Sequence, residues 1–254
     1  MKLGPMFALL LIGSWYQAFA SDCHDNYLGG IRPAAIIDRE ICFPSFSVGY
    51  RDAQHGPLWS SEHITPERIT KSGKITRHCA FHAGNLPAGA GINPRWYDGS
   101  GWDRGHLTPN GDAGSEVDQE DSCSLINVAP QDPKLNRTVW RAVEKQVQTK
   151  ILETRQDGYI VTGVAYPPNS RPAPGVPGVP SFFWKAVAIG REMWAVVSAN
   201  APPSTGSCVY MSISDLESRV GPVFPSVAKD YKSQVSEVIP VFGCLPSRPG
   251  NGER

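Results

Sequence analysis

The sequence has no excess of positive or negative charge, since its 254 residues include 24 Lys and Arg against 24 Asp and Glu. A protein that holds nucleic acid through a broad basic surface usually carries a basic excess, so any phosphate-binding surface must come from local clustering. The chain contains no internal repeat, and no segment beyond its N-terminus is apolar for long enough to cross a bilayer. These absences argue against a repeat architecture and leave a soluble globular protein as the expectation.

The sequence also lacks a Cys-x-x-Cys pair, the spacing typical of zinc and redox-active sites. Its 6 cysteines are even in number, which favours three disulfides in an oxidising compartment. Proximity along the chain suggests the pairs Cys23 with Cys42 and Cys208 with Cys244, although proximity alone does not fix a pairing. Buried free thiols stay open as the alternative for Cys79 and Cys123, which lie near the candidate site.

The N-terminal 20 residues have the pattern of a secretory signal peptide. Lys2 gives a short basic start, residues 6–12 are apolar, and Ala-Phe-Ala at 18–20 has small residues where signal peptidase cleaves. A retained membrane anchor is the weaker alternative, because Gly13 and Ser14 interrupt the apolar run. We therefore expect residues 1–20 to be removed and the mature protein to be secreted or periplasmic.

Residues 21–254 are long enough to form one large domain with its own core, which we expect over about residues 46–225. The patterns predict strands over 46–50, 58–64, 159–166, 182–189 and 193–199. Residues 21–45 and 84–102 are rich in residues that interrupt regular structure, and they are predicted to be irregular. The expected fold class is mixed α/β (α+β).

One helix is clearly predicted in the middle of the chain. Asp132 has the character of an N-cap, and Pro133 suits the first helical position. Apolar residues then recur at helical spacing. The other side of this helix carries three basic residues four apart: Arg137, Arg141 and Lys145. A second, short helix is expected over residues 214–220.

The most informative stretch is Asp-Arg-Gly-His at residues 103–106. A histidine close to an arginine suits phosphodiester hydrolysis, because imidazole can accept a proton from water near neutral pH and guanidinium can hold a phosphate. His106 is therefore the candidate general base. Asn136, near the start of the predicted helix, offers a hard neutral oxygen of the kind that Mg²⁺ accepts while it keeps much of its hydration. Asn136 is the candidate ligand of one Mg²⁺, with Mn²⁺ as a substitute.

Further motifs carry a resemblance to a known family. They are Leu-Trp-Ser-Ser-Glu-His-Ile-Thr at 58–65, Asp-Arg-Gly-His-Leu at 103–107, Asn-Val-Ala-Pro-Gln at 127–131, Leu-Asn-Arg at 135–137 with Trp140 and Glu144, Phe-Trp-Lys at 183–185, and residues 212–225. In these motifs, their order and their spacing, the chain resembles the DNA/RNA non-specific endonucleases, the ββα-metal family that includes the Serratia nuclease and mitochondrial endonuclease G. The resemblance implies a ββα-metal nuclease fold with a central, mostly antiparallel sheet flanked by helices.

The resemblance also implies roles for further residues. Glu144 would hold metal-bound water, and Asn127 would order the site. Arg104 would grip the phosphate, whereas Asp103 would fix the local backbone and take no chemical part. Arg77, placed on a predicted strand before the motif, would supply a second phosphate contact.

Each of these assignments has a simpler alternative. The motif alone could be a turn with a surface ion pair, and Asn136 could be an exposed polar residue near a helix start. Glu144 could belong to an ordinary solvated helix face, which is what charged stripes usually form. Arg137 and Arg141, with Lys145, could equally follow a phosphate backbone or form such a solvated face.

Together these features predict a Mg²⁺-dependent endonuclease that hydrolyses DNA and RNA with little sequence preference, because no element for reading bases is visible. One alternative is a toxin or effector nuclease restrained by an immunity or inhibitor protein. Another is a catalytically inactive nucleic-acid-binding relative, which would have no need of His106, Asn136 and Glu144. A two-metal phosphodiesterase for small substrates is disfavoured, since it would gather several His and Asp ligands.

Overall fold

The computed structural model describes residues 23–86, 89–168, 172, 175–204, 207–234 and 244–246. The predicted signal peptide lies outside the described residues. The strands are β1 (Arg39–Cys42), β2 (Ser47–Arg51), β3 (Gly56–Ile64), β4 (Asp103–His106), β5 (Val128–Gln131), β6 (Gly158–Ala165), β7 (Phe182–Ile189), β8 (Glu192–Ala199), β9 (Cys208–Met211) and β10 (Cys244–Pro246).

Eight of these strands form one sheet in the order β1-β2-β3-β6-β7-β8-β9-β10, and β4 and β5 form a separate two-stranded sheet. All pairs are antiparallel except β9 with β10, which run parallel. The expected central, mostly antiparallel sheet is confirmed. Among the described residues, no helix is both long and apolar enough to span a bilayer.

The helices are α1 (Pro66–Ser72), α2 (Glu116–Ser122), α3 (Pro133–Leu135), α4 (Arg141–Thr154), α5 (Ile213–Val220) and α6 (Lys229–Lys232). Short 3-10 turns lie at Cys23–Asn26, Leu28–Gly30, Asp52–Gln54, Pro94–Tyr97, Asn110–Asp112 and Leu125–Asn127. The predicted N-cap is confirmed, since the side chain of Asp132 accepts hydrogen bonds from the backbone N–H groups of Lys134 and Leu135.

The five predicted strands match β2, β3, β6, β7 and β8, and the predicted short helix matches α5. Two expectations were wrong. The N-terminal stretch predicted to be irregular contains β1, which pairs with β2. The single helix predicted from Pro133 is interrupted by a π turn over Asn136–Trp140.

Alternation along the strands gives the large sheet two different faces. In β7, Phe183 and Val187 pack into one core cluster together with the buried side of α4. The intervening Trp184 and Ala186 pack into a second cluster together with Leu216 of α5. We call the face under α4 the site face and the face under α5 the back face. This period-2 alternation is what a sheet covered on both sides requires.

The described cysteines form three disulfides: Cys23–Cys42, Cys79–Cys123 and Cys208–Cys244. The two pairs that proximity suggested are confirmed. The alternative of free thiols at Cys79 and Cys123 is wrong, because these residues are bonded to each other across 44 positions of sequence.

Candidate active site

The two-stranded sheet of β4 and β5 presents the Asp-Arg-Gly-His motif; we call it the hairpin, although α2 lies in the connection between its strands. Strand β4 pairs antiparallel with β5, which places His106 opposite Val128. The strands can lie this close because residue 105 is glycine: a Cβ there would be 2.5 Å from the Cβ of Gln131. Since the motif is a strand, Arg104 and His106 lie two residues apart on the same face.

His106 is half-buried, and its ring has close neighbours on more than one side. Nε2 lies 3.7 Å from the Sγ of Cys79 and 3.9 Å from the Sγ of Cys123. The ring of Phe81 packs against the imidazole with centroids 5.2 Å apart. Burial and the charge of Arg77 lower the pKa of His106 to about 4. The imidazole is therefore neutral near neutral pH and can accept a proton.

The side chain of Asp103 ties the hairpin to the helix that follows it. Its Oδ2 accepts hydrogen bonds from Nδ2 of Asn136 at 2.9 Å and from Nε of Arg137 at 2.8 Å. Because the nitrogen and oxygen of an amide point in different directions, the bond through Nδ2 turns Oδ1 of Asn136 away from Asp103. Asp103 therefore positions the side chains of Asn136 and Arg137, whereas the expected role was to fix the local backbone. This contact does not occupy the amide oxygen of Asn136, and the metal site stays a prediction.

The π turn Asn136–Trp140 sets the relative direction of Asn136 and Glu144. Two residues eight apart in a regular α-helix differ in direction by about 80°, since each residue turns the chain by about 100°. A π turn accommodates one more residue per turn and so reduces this difference. The irregularity brings Asn136 and Glu144 closer to one side of the helix than a regular helix would. The apolar spacing of the sequence carries no signal for it.

Glu144 is half-buried and lies within electrostatic reach of the same cation as His106. Burial raises the pKa of Glu144 to about 7, against the opposing charges of Lys185, Arg77 and Arg141. Arg77 also lowers the pKa of His106. The structure therefore brings Arg77, His106 and Glu144 together from three separate segments of the chain.

A buried polar row lies across the site face of the sheet, and sequence reasoning missed it. The register places Ser60, Thr162 and Lys185 side by side on β3, β6 and β7. Nζ of Lys185 donates a hydrogen bond to Oγ1 of Thr162 and lies 5.7 Å from the centre of the Trp140 ring. The sequence does contain a signal for the buried lysine: the alternation of β7 puts Lys185 on the same face as Phe183, which is in the core.

Two buried carboxylates extend this row. Burial raises the pKa of both Glu62 and Asp112. Arg68 lies 3.4 Å from Oε2 of Glu62, and Nε2 of Gln148 donates to Oδ1 of Asp112 at 2.6 Å. Several charges are thus held out of water beneath the site, where each depends on its partners.

Asn127 acts on the backbone that leaves the His106 strand. Its Oδ1 accepts from the N–H of Thr108 at 2.9 Å, and its Nδ2 donates to the carbonyls of Thr108 and Ser122 at 2.8 and 2.9 Å. Thr108 follows His106 by two residues. These bonds support the prediction that Asn127 orders the site, and they make it a positioning residue.

Arg104 lies beside His106 but is already engaged. Its Nη2 donates to Oδ1 of Asp98 at 3.1 Å, and its guanidinium lies 5.3 Å from the centre of the Phe81 ring and 5.1 Å from that of Tyr97. The side chain keeps 29% of its exposure. A phosphate at this position would compete with Asp98 for the same guanidinium.

The other predicted phosphate contacts are exposed. Arg77 lies outside any strand, so its predicted placement on a strand was wrong, although it is near enough to His106 to lower the pKa of that residue. Arg137 is held by Asp103, whereas Arg141 is exposed and close enough to Glu144 to lower its pKa. The π turn breaks the regular stripe expected along the helix.

The hairpin β4–β5 and the helix that follows it form a ββα unit, the arrangement of the ββα-metal nucleases. The chain belongs to the DNA/RNA non-specific endonuclease family, whose sequence profile matches residues 32–227.

Relatives are named nucleases. Human mitochondrial nuclease EXOG is 30% identical over 132 residues, which cover 51% of this chain and 35% of that protein. Human mitochondrial endonuclease G is 33% identical over 133 residues, which cover 50% of this chain and 42% of that protein. A nuclease from Nostoc sp. is 34% identical over 109 residues, which cover 41% of this chain and 38% of that protein. The matches thus span less than half the length of these relatives.

A solved structure shares the fold. It is the "Crystal structure of the EndoG/EndoGI complex: Mechanism of EndoG inhibition", and the match has a TM-score of 0.69 at 22% identity. The match covers 78% of this chain and 90% of that one. Inhibition is a property of EndoG in that complex, and an inhibitor or immunity protein for this chain stays part of the toxin alternative raised by the sequence.

Proposed function

We propose that this protein is a Mg²⁺-dependent endonuclease that hydrolyses the phosphodiester bonds of DNA and RNA with little sequence preference. The observation that carries this proposal is the bond between Asp103 and Asn136. Through Nδ2 it fixes the side-chain amide of Asn136 to the same short strand that carries the neutral imidazole of His106, and it does not occupy the amide oxygen. A proton acceptor and a hard oxygen ligand are thereby held on one unit.

The residues present fit a single Mg²⁺, with Mn²⁺ as a substitute. Asn136 offers a neutral amide oxygen. Glu144 offers a carboxylate, and burial raises its pKa to about 7 although Lys185, Arg77 and Arg141 act in the opposite direction. Asn136 would hold the ion directly and Glu144 would act through water. The ion would supply charge stabilisation at the scissile phosphate and at the departing oxygen.

His106 is proposed to accept the proton of the attacking water through Nδ1. Its Nε2 faces the sulfurs of Cys79 and Cys123, so Nδ1 is the nitrogen turned away from them. A pKa of about 4 keeps the ring unprotonated before the reaction. The negative charge of a bound phosphodiester would raise that pKa and strengthen the base.

Substrate binding is proposed to rest on phosphate contacts. Arg77 is near enough to both His106 and Glu144 to lower their pKa values, Arg104 lies on the same strand face as His106, and the exposed Arg141 also lowers the pKa of Glu144. Guanidinium groups contact the backbone of nucleic acid, which is the same for every sequence and nearly the same for DNA and RNA. This arrangement supports cleavage with little base preference.

We further propose that the protein works outside the cytoplasm, secreted or periplasmic. The signal-like N-terminus supports this, and so do three disulfides, which persist in oxidising compartments.

The proposal is tested by incubating the mature protein with closed circular plasmid DNA and, separately, with a folded RNA. We expect both to be cut in the presence of Mg²⁺ and neither after chelation. The ends should carry 5′-phosphate, which ligation of the DNA fragments without prior phosphorylation would reveal. Cleavage that continues in excess chelator would contradict the metal, and intact substrates under all metal conditions would contradict the activity.

A further inference from the structure

The disulfide Cys79–Cys123 and His106 together form a cluster that the proposed reaction does not explain. The ligand atoms of the three residues all lie within 4.8 Å of one another. Two sulfurs and an imidazole nitrogen are the atoms that Zn²⁺ and other soft divalent cations bind. In the disulfide form the sulfurs cannot act as thiolates, so the cluster can hold a metal only after reduction.

The distances suit such a site. In a tetrahedral zinc site, with Zn–S of about 2.3 Å and Zn–N of about 2.0 Å, a nitrogen and a sulfur ligand are about 3.5 Å apart. The distances from Nε2 of His106 to the two Sγ atoms are 3.7 and 3.9 Å. After reduction the two sulfurs would separate to about 3.8 Å in such a site. The Cα atoms of the two cysteines are 5.6 Å apart, so the two side chains start from neighbouring backbone positions.

We propose that reduction of the Cys79–Cys123 disulfide creates a site for one Zn²⁺ at Cys79, His106 and Cys123, and that zinc bound there switches the nuclease off. The switching part rests on the function proposed above, whereas zinc binding does not. Cys79 and His106 are half-buried, and Cys123 is fully buried. The ion would enter beside Cys79 and keep a water at its fourth position.

The chemistry balances with a dithiol as the reductant. Two electrons and two protons pass from the dithiol to the disulfide, which gives two protein thiols and the oxidised reductant as a cyclic disulfide. Zn²⁺ then displaces one proton from each thiol to solvent and accepts a lone pair from Nε2 of His106.

Zinc at this position removes the general base. With Nε2 bound to the metal, Nδ1 must carry the ring proton, so the nitrogen proposed to take a proton from water is no longer an acceptor. Mg²⁺ would not substitute, because it prefers hard oxygen ligands.

The binding test uses the whole mature protein and does not require nuclease activity. The protein is reduced with a water-soluble phosphine, which yields the same two thiols without adding a competing thiol, and is then alkylated with and without Zn²⁺. We expect Zn²⁺ to protect Cys79 and Cys123 from alkylation, as mapped by mass spectrometry. Substituting Co²⁺ should produce the absorption of thiolate bonded to cobalt. Equal alkylation of both cysteines with and without Zn²⁺ would overturn the proposal.

Matched variants separate this cluster from the other cysteines. His106→Ala should weaken zinc binding by at least about tenfold, since even outer partners of a metal site contribute about 10- to 100-fold. Cys79→Ser should do the same. The double variant Cys23→Ser with Cys42→Ser, which removes the other candidate cluster, should bind Zn²⁺ like the wild type. Zinc protection that survives His106→Ala, or that disappears in the double variant, would contradict the assignment.

Activity provides the second readout. Micromolar Zn²⁺ added with Mg²⁺ should abolish DNA cleavage by the reduced protein and leave the oxidised protein active. If zinc binds and cleavage continues, the switch is wrong while the site stands. If the oxidised protein never cleaves, the proposed nuclease function fails and the alkylation result still decides the zinc site.

Discussion

The two faces of the large sheet differ in what they bury. The back face packs apolar side chains such as Trp184 and Met211 against α5. The site face also has an apolar core, but it buries Lys185, Glu62 and Asp112 beneath the helix that carries Glu144. Burial of apolar area stabilises a fold whatever the protonation state of its residues, whereas buried charges stabilise it only while each has a partner of opposite charge. Holding these charged groups near the proposed active site is therefore expected to make the stability of the site face depend on their protonation.

The largest expected effect is on activity alone. His106→Ala should lower the rate of DNA cleavage by about 100- to 10,000-fold, the usual contribution of a general base. The side chain lies on the hairpin above the site face and is half-buried, so the melting temperature should change little. Cleavage assays paired with thermal unfolding would measure both. A variant that unfolds but keeps the wild-type rate per folded molecule would break the comparison.

A matched pair of core substitutions compares the faces directly. Leu216→Ala on the back face should cost about 2–5 kcal/mol of unfolding free energy at every pH, because it leaves a cavity. Lys185→Met on the site face should cost up to about 3–5 kcal/mol above pH 8, where Glu62 is charged, since it removes one of the cations that balance the buried carboxylates and leaves Arg68.

The pH dependence of the Lys185→Met cost tells the two mechanisms apart. Burial raises the pKa of Glu62 and Asp112 in the folded state. Below their folded-state pKa values these groups are neutral, so Lys185 has less to balance. The cost should therefore grow as pH rises, as measured by denaturant unfolding at several pH values. A pH-independent cost would show that Lys185 acts only through its packing.

Loss of the hydrogen bond between Asn136 and Asp103 should have a moderate effect on the apparent affinity for Mg²⁺. Asp103→Ala is expected to weaken apparent Mg²⁺ affinity by about 10- to 100-fold, because it frees the amide of the proposed ligand. Asp103→Asn, whose Oδ1 can still accept one hydrogen bond, should lose less. Titration of cleavage rate against Mg²⁺ gives the affinities, and an unchanged Mg²⁺ dependence in Asp103→Ala would contradict the positioning role.

The carboxylate of Glu144 should appear in the pH profile. Its pKa is raised to about 7, so the charged form is lost as pH falls through that value. We expect kcat/KM to rise with pH through this range, and the rise to move to lower pH as Mg²⁺ increases, since a cation favours the carboxylate. Glu144→Gln should remove this limb. A profile that Mg²⁺ does not shift would count against Glu144 near the ion.

The smallest effect is expected on KM for DNA when Arg104 loses its partner Asp98. Asp98→Asn removes the carboxylate that competes for its guanidinium, so KM for DNA should fall by up to about fivefold, equivalent to the roughly 1 kcal/mol of an exposed ion pair. A raised KM would show that Asp98 instead orients Arg104 for the substrate.

Much of the fold was predictable because its long strands carry a clear period-2 pattern and its main helix begins with an N-cap and proline. Strand β1 was missed because its four residues alternate poorly in burial. The π turn was missed because hydrogen bonding within a helix leaves no mark on apolar spacing. At the site, motif order predicted residues that the structure brings near one another, such as Asp103 and Asn136, but the contact of the Cys79–Cys123 disulfide with His106 depends on folding across distant segments. The pairing of Arg104 with Asp98 is local in sequence, but it depends on how the turn Pro94–Tyr97 leads back to β4.

Chemical rescue tests the role of His106 most directly. Imidazole added to His106→Ala should restore cleavage in proportion to the concentration of its unprotonated form, because the free base occupies the place of the missing side chain. Rates measured at several pH values and fixed Mg²⁺ would distinguish the two forms of imidazole. Rescue that follows unprotonated imidazole is the predicted result. Wild-type cleavage by His106→Ala without imidazole, or rescue that follows imidazolium, would contradict a general base at this position.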